Sequence, residues 1–161
     1  MKLYFKQRVF SFKQRTDIFD EFGNVIFVAE GEIFSLGRRM HIYDMNRCEV
    51  GFVQQRLLHL MPRFSVYING QYMADVVKEF TLFSQNYRVE GLGWHIDGDI
   101  FAHDYRITCG GKYIASIHKH WMTWGDSFEI DIAYEQDTVM ALAVIIAIDC
   151  VMDTSQSSYS N

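Results

Sequence analysis

Among the residues able to do chemistry, the adjacent pair Arg38-Arg39, set directly after Gly37, has the most suggestive spacing. A glycine turn followed by two guanidinium groups presents forked donors to a phosphate. Lys6 and Arg8 join the pair as candidate anion- or lipid-binding residues, within a wider basic set of Lys2, Lys13, Arg15, Arg56 and Arg63. The competing reading is that such charges protect strand edges and keep the surface soluble. Other possible ligands are His118 and His120, two apart and so on one side of a strand, and Asp97-Gly98-Asp99 with His95 and His103. Neither group has a recognised metal-ligand spacing, and a glycine between aspartates is ordinary turn chemistry, so no metal or cofactor is expected.

Nucleophilic and nucleotide chemistry find little support. The chain has no G-x-S-x-G, no P-loop and no G-x-G-x-x-G; Gly91-Leu92-Gly93 lacks the third glycine and a following helix. Trp94, Trp121 and Trp124 are better read as buried or rim aromatics than as a pocket lining. Cys48, Cys109 and Cys150 are odd in number, far apart and outside any C-x-x-C, which points to reduced thiols in or near the core. A non-enzymatic protein is expected.

The 161 residues suit one domain, placed at 1–152, with a polar, frayed tail over 153–161; Pro62 is the single proline and no linker interrupts the chain. The first twelve residues mix Lys2, Lys6 and Arg8 with aromatics and lack an apolar h-region, so a cytoplasmic location is expected. Residues 1–63 hold ten Lys/Arg against seven Asp/Glu and residues 64–161 five against thirteen, a split of +3 and −8. A net charge of −5 repels phosphate at long range, so nucleic acid is not an expected partner, while a local basic patch from the first part stays open.

These groups have to be positioned by β structure. Segments rich in Val, Ile, Phe and Tyr recur at 4–10, 16–20, 25–31, 40–44, 49–57, 63–68, 72–78, 81–90, 94–100, 105–109, 113–118 and 128–132. Residues 127–132 alternate most cleanly, with Phe128, Ile130 and Ile132 opposing Glu129 and Asp131. Asn69-Gly70 and Gly110-Gly111 suit the positive φ angles of two-residue hairpins, and Gly23-Asn24 is close to that type. The spacing predicts about a dozen antiparallel strands in a barrel or sandwich. The echo of Phe5-Lys6-Gln7-Arg8 in Phe12-Lys13-Gln14-Arg15 has no longer period behind it and reads as two edge-strand faces.

Residues 139–148 break the pattern, being apolar throughout. A helix of that composition must be surrounded. It is predicted over 138–152, with Asp137 as N-cap, and its length of roughly 22 Å falls short of a ~30 Å bilayer core, so a barrel interior is the expected solvent and no membrane span is expected. Asp149 is the odd residue, expected to pair with an arginine or an indole N–H on the wall or rim, or to reach solvent at the barrel mouth.

Several segments resemble the LURP-one-related (YxjI-like) family of the Tubby C-terminal-like superfamily: Phe5-Lys6-Gln7, residues 17–24, Phe34-Ser35-Leu36-Gly37, residues 57–62, residues 87–91 and residues 121–126. The resemblance covers nearly the whole chain and implies a closed twelve-stranded barrel threaded by the C-terminal helix. It also implies lipid contact, since superfamily relatives include phosphoinositide-binding Tubby proteins and phospholipid scramblases. A filled barrel works on its outside, so anionic lipid head groups or a protein partner on the outer surface are the expected ligands. The alternatives are an interaction module without lipid contact and a scramblase-like protein using the helix at a membrane. A basic cluster at one barrel end would favour head groups, an exposed apolar patch a protein partner, and an exposed helix the scramblase-like role.

Overall fold

The structure, a computed structural model, describes residues 1–6, 15–32, 34–79, 86–122 and 125–159. Twelve strands form one sheet: β1 Lys2–Lys6, β2 Thr16–Phe19, β3 Val25–Gly31, β4 Arg39–Asp44, β5 Glu49–Gln55, β6 Arg63–Ile68, β7 Gln71–Lys78, β8 Tyr87–Glu90, β9 Trp94–Asp99, β10 Asp104–Cys109, β11 Lys112–Met122 and β12 Gly125–Ile132. Every pair is antiparallel and sequential, and β1 closes on β12 to complete a barrel. Each expected strand is present. The first and eighth are shorter as described than their sequence patterns, whose remainders lie outside the described residues.

Closure follows from the alternation of side chains. In β12, Phe128, Ile130 and Ile132 enter the lumen, and in β1 Leu3 and Phe5 do the same, with Phe5 stacked on Phe128 at 5.5 Å. In β10, Tyr105 and Ile107 are buried while Asp104 and Arg106 are exposed. At Asn69-Gly70 both central residues carry positive φ (49° and 77°), the primed turn whose twist matches that of its strands.

Filling the lumen is α1, Thr138–Tyr159, entered through the 3₁₀ turn Glu135–Asp137. Residues 141–152 are buried on every side, and Ala141, Ala143 and Ala147 are fully so, which lets the wall approach. The helix packs chiefly against β5, β6 and β7, with a lesser contact to β12. By length and composition it is able to cross a membrane, but in this protein the strands surround it.

Two features of the helix differ from the sequence reading. It does not stop near 152: residues read as a frayed tail continue it to Tyr159, because their polar groups have partners there. Thr154 Oγ1 and Ser155 Oγ donate to the carbonyls of Cys150 and Val151 (2.9 and 2.8 Å), and Asp153 pairs with Arg38 at 3.5 Å. Asp137 is not an N-cap. Winding already starts at Glu135, after an extended Tyr134 with no side-chain cap, so Asp137 and Glu135 act only as charge at the positive end of the dipole.

Because the order is a simple meander, connections alternate between two ends. The base carries the β2–β3, β4–β5, β6–β7, β8–β9 and β10–β11 turns and the start of α1. The crown carries the β3–β4, β5–β6 and β9–β10 loops and the end of α1.

Candidate functional site

The crown gathers chemistry that the sequence scattered. The β3–β4 and β5–β6 loops lie side by side: the amide of Arg38 donates to Gln55 Oε1 (3.0 Å), that of Gln55 donates to the Arg38 carbonyl (2.8 Å), and Leu57 packs over Gly37. Standing out from them are Phe34 (98% exposed), Leu36 (85%), Leu58 (105%) and Leu60 (98%). Four large apolar side chains on touching loops that pack on almost nothing in their own chain are unusual, since isolated exposed residues are normal but grouped ones mark contact sites. Leu58 also holds φ +65°, a left-handed conformation that costs an L-residue roughly 1–2 kcal/mol.

Beside Leu60 the rim is cut by a groove of ≈ 530 Å³, lined by His59, Leu60, Met61, Arg63, Val77, Lys78, Glu79 and Arg88. Register builds it. Arg63, Val77 and Arg88 form one cross-strand row over β6, β7 and β8, and Ser65, Asp75 and Glu90 form the row beneath. Arg63 Nη1 donates to Asp75 Oδ2 (2.7 Å) and Glu90 Oε2 (2.8 Å), Ser65 Oγ donates to Asp75 Oδ1 (2.6 Å), and Arg88 is paired with Glu90 and, at 3.7 Å, with Glu79. Hydrogen bonding to Asp75 holds the Arg63 guanidinium above its ordinary pKa. Both arginines are thus fixed by carboxylates, Asp75 and Glu90 below them and Glu79 on the rim of the groove itself. Lys78, buried at the end of β7, has its ammonium pKa lowered by desolvation. Arg56, exposed on the β5–β6 loop, makes no ion pair among the described residues.

The residues singled out by sequence are not brought together. Arg38 and Arg39 flank a strand boundary and point to opposite faces: Arg38 turns toward Asp153 of α1, and Arg39 turns outward to Glu32 at 3.4 Å, with its buried Nε lacking a partner among the described residues. The side chain of Lys6 and the whole of Arg8 lie outside the described residues. Asp149, now mid-helix, meets a histidine that was not the expected partner: His103 Nε2 lies 2.7 Å from Asp149 Oδ1, both largely buried. His103 reaches inward because the β9–β10 turn gives it φ +54°, and its ring packs on Phe128. His118 is taken by Asp104 (2.6 Å), and among the described residues no group of three or more His, Cys, Asp or Glu is placed to hold a metal. Lys78, Arg88 and the four apolar tips were missed, although segments 34–37 and 57–62 stood out on other grounds. Their signal was apolar residues beside Gly37 and Pro62, where loops should be polar.

The sequence profile of the LURP-one-related family matches residues 1–149. A full-length relative agrees: the uncharacterized protein YxjI of Bacillus subtilis (strain 168) is 34% identical over 152 residues, 94% of each chain. The chain belongs to the LURP-one-related family. The fold is shared with a plant protein of solved crystal structure, from Arabidopsis thaliana, at a TM-score of 0.63 and 14% identity, over 92% of this chain and 89% of the other. That likeness bears on the fold alone. As a LURP-one-related barrel, the chain has twelve strands around one helix, and the crown and its groove are built from this chain's own side chains.

Proposed function

We propose that this LURP-one-related protein is a non-enzymatic binder of anionic membrane surfaces, docking crown-first. The observation that carries the reading is the placement of four solvated apolar tips on the same rim as a groove lined by Arg63, Lys78 and Arg88. Convex, separated tips suit a deformable lipid interface, whereas a protein partner would have to supply a matching socket for each. Full burial of one leucine stabilises by about 1.5–3 kcal/mol, so partial insertion of two or three tips, aided by Arg56, is enough for reversible attachment. The helix stays inside, because its burial leaves it nothing to gain from lipid.

The test is co-sedimentation with vesicles of phosphatidylcholine, with and without phosphatidylserine, at low and physiological salt. Binding that rises with phosphatidylserine, falls with salt, and drops about tenfold or more in Leu58→Asp/Leu60→Asp is expected. No binding to either vesicle at low salt would remove the proposal and leave the crown to a protein partner.

A further inference from the structure

The barrel wall has a seam. Strand β8 is paired with β7 at all four of its positions and β9 with β10 at all six, but β8 and β9 share a single paired position, Val89 with Trp94. Beyond it the two strands, joined at the base, diverge toward the crown. The gap is a cleft of ≈ 860 Å³, with residues 86–89 on one side and 94–98 on the other. Two strand edges thus face each other with no strand between them among the described residues, and each offers the N–H and C=O of every second residue to whatever enters.

The two faces of the cleft are chemically unlike. Strand alternation turns Tyr87, Val89, Trp94 and Ile96 toward the lumen and Arg88, His95 and Asp97 toward the outside. Ile96 is only half-buried although it points inward, and the next inward position is the exposed Gly98, so the inner face of β9 is uncovered where the seam opens. Outside, Arg88 is held between Glu79 and Glu90, and the exposed Asp97 and Asp99 have Arg106 beside them, 4.0 Å from Asp97. Even with the Arg63–Asp75–Glu90 network counted, carboxylates outnumber cations on this face. Charged side chains ordinarily guard an exposed strand edge against pairing. A guard of mostly one sign is selective, because it turns acidic strands away and admits basic ones.

We propose that the β8–β9 seam is a peptide-binding slot, which takes an extended segment of a partner protein, with apolar and cationic residues in alternation, as an added strand. Apolar side chains of the segment go inward against Tyr87, Trp94 and Ile96, and its lysines or arginines go outward among the carboxylates. Because β8 and β9 are antiparallel, the segment lies antiparallel to one and parallel to the other, and its successive residues bond alternately to the two edges. Residues 95–98 span about 13 Å, the length of a four- or five-residue strand. A small molecule of the cleft's volume leaves one or both backbone rows unpaired, whereas a strand answers both. The slot shares Glu79 and Arg88 with the crown groove but uses none of the apolar tips, so it does not rest on membrane docking.

Fluorescence polarisation of the full chain with a dye-labelled hexapeptide of alternating lysine and valine tests it. Saturable one-to-one binding is expected, at least tenfold weaker when glutamate replaces lysine. N-methylation of the valine amides removes the donors to one edge, and N-methylation of the lysine amides removes those to the other, so each modified peptide should bind about tenfold more weakly or worse. Asp97→Lys, an exposed change on the rim, should weaken the lysine peptide about fivefold, strengthen the glutamate peptide and leave Tm unchanged. Leu58→Asp/Leu60→Asp should bind the lysine peptide like the wild type. Absence of saturable binding, equal affinity for the glutamate peptide, sensitivity to only one of the two N-methylated sets, indifference to Asp97→Lys, or loss of binding in the leucine double variant would each overturn the assignment.

Discussion

The two ends of this barrel are built from the same strands and are chemically unlike. At the base, described turns are two to five residues long and their polar groups are used internally. Asp20 Oδ1 accepts from the amides of Phe22 and Asn24, Asp44 Oδ1 accepts from those of Asn46 and Cys48, and the amino terminus donates to the Ile132 carbonyl at 2.7 Å. Hydrogen bonding to Asn24 holds the Asp20 carboxyl below its ordinary range, as a brace of this kind should. Apolar residues do reach solvent there, Phe22 and Met45 among them, but one to a turn. At the crown the loops reach seven residues, the apolar tips come in pairs on touching loops, and beneath lie a histidine–carboxylate pair and the phenols of Tyr87 and Tyr105, whose hydroxyls have no hydrogen-bond partner among the described residues. One end closes the fold with local chemistry, while the other keeps exposed and unsatisfied groups that closure does not require. That asymmetry is what points function to the crown.

The sharpest way to break the comparison is at its deepest crown residue. Asp149→Ala leaves His103 buried without its partner, and stability should fall by roughly 3 kcal/mol in urea denaturation, the range for breaking a buried pair. A loss below ~0.5 kcal/mol would make the pair incidental, and the crown would then lack an organised polar interior.

At the base the expected effects are smaller and purely structural. Asn69→Ala with Gly70→Ala puts two alanines at positive φ in the β6–β7 hairpin, and should cost about 1–2 kcal/mol without changing vesicle binding. A change in vesicle binding would mean that the ends are coupled through the barrel, and the division of labour would fail.

How much of this was legible beforehand follows from the range of each signal. The barrel was, because alternation such as that within 127–132 and turns such as Asn69-Gly70 are local signals that recur along the chain. The enclosed helix was legible from the lack of any wet face in 139–148, but its end was not, since the Asp153–Arg38 pair and the Ser155 back-bond that keep it helical arise from the fold. Arg38 and Arg39 do not converge on one site for a geometric reason: neighbours in sequence on or beside a strand face opposite ways. The groove instead joins Arg63 to Arg88 across three strands, a spacing that no linear pattern carries. His103 was noticed only as a possible ligand, and its true partner lies 46 positions away on the helix.

The smallest expected change separates strain kept for contact from strain that merely happens. Leu58 is fully solvated and left-handed, so in the isolated protein it gains nothing from being leucine and bears a conformational cost. Asparagine tolerates the left-handed region better and needs no packing there, so Leu58→Asn should leave stability unchanged or raise it by up to about 1 kcal/mol. In the same variant, partition onto phosphatidylserine vesicles should fall severalfold. Stability and binding moving in opposite directions is the signature of a residue retained for what it touches outside its own chain. If Leu58→Asn lowers stability by more than ~0.5 kcal/mol, the side chain is packing on its neighbours after all, and the crown tips are part of the fold's own closure, as the base turns are.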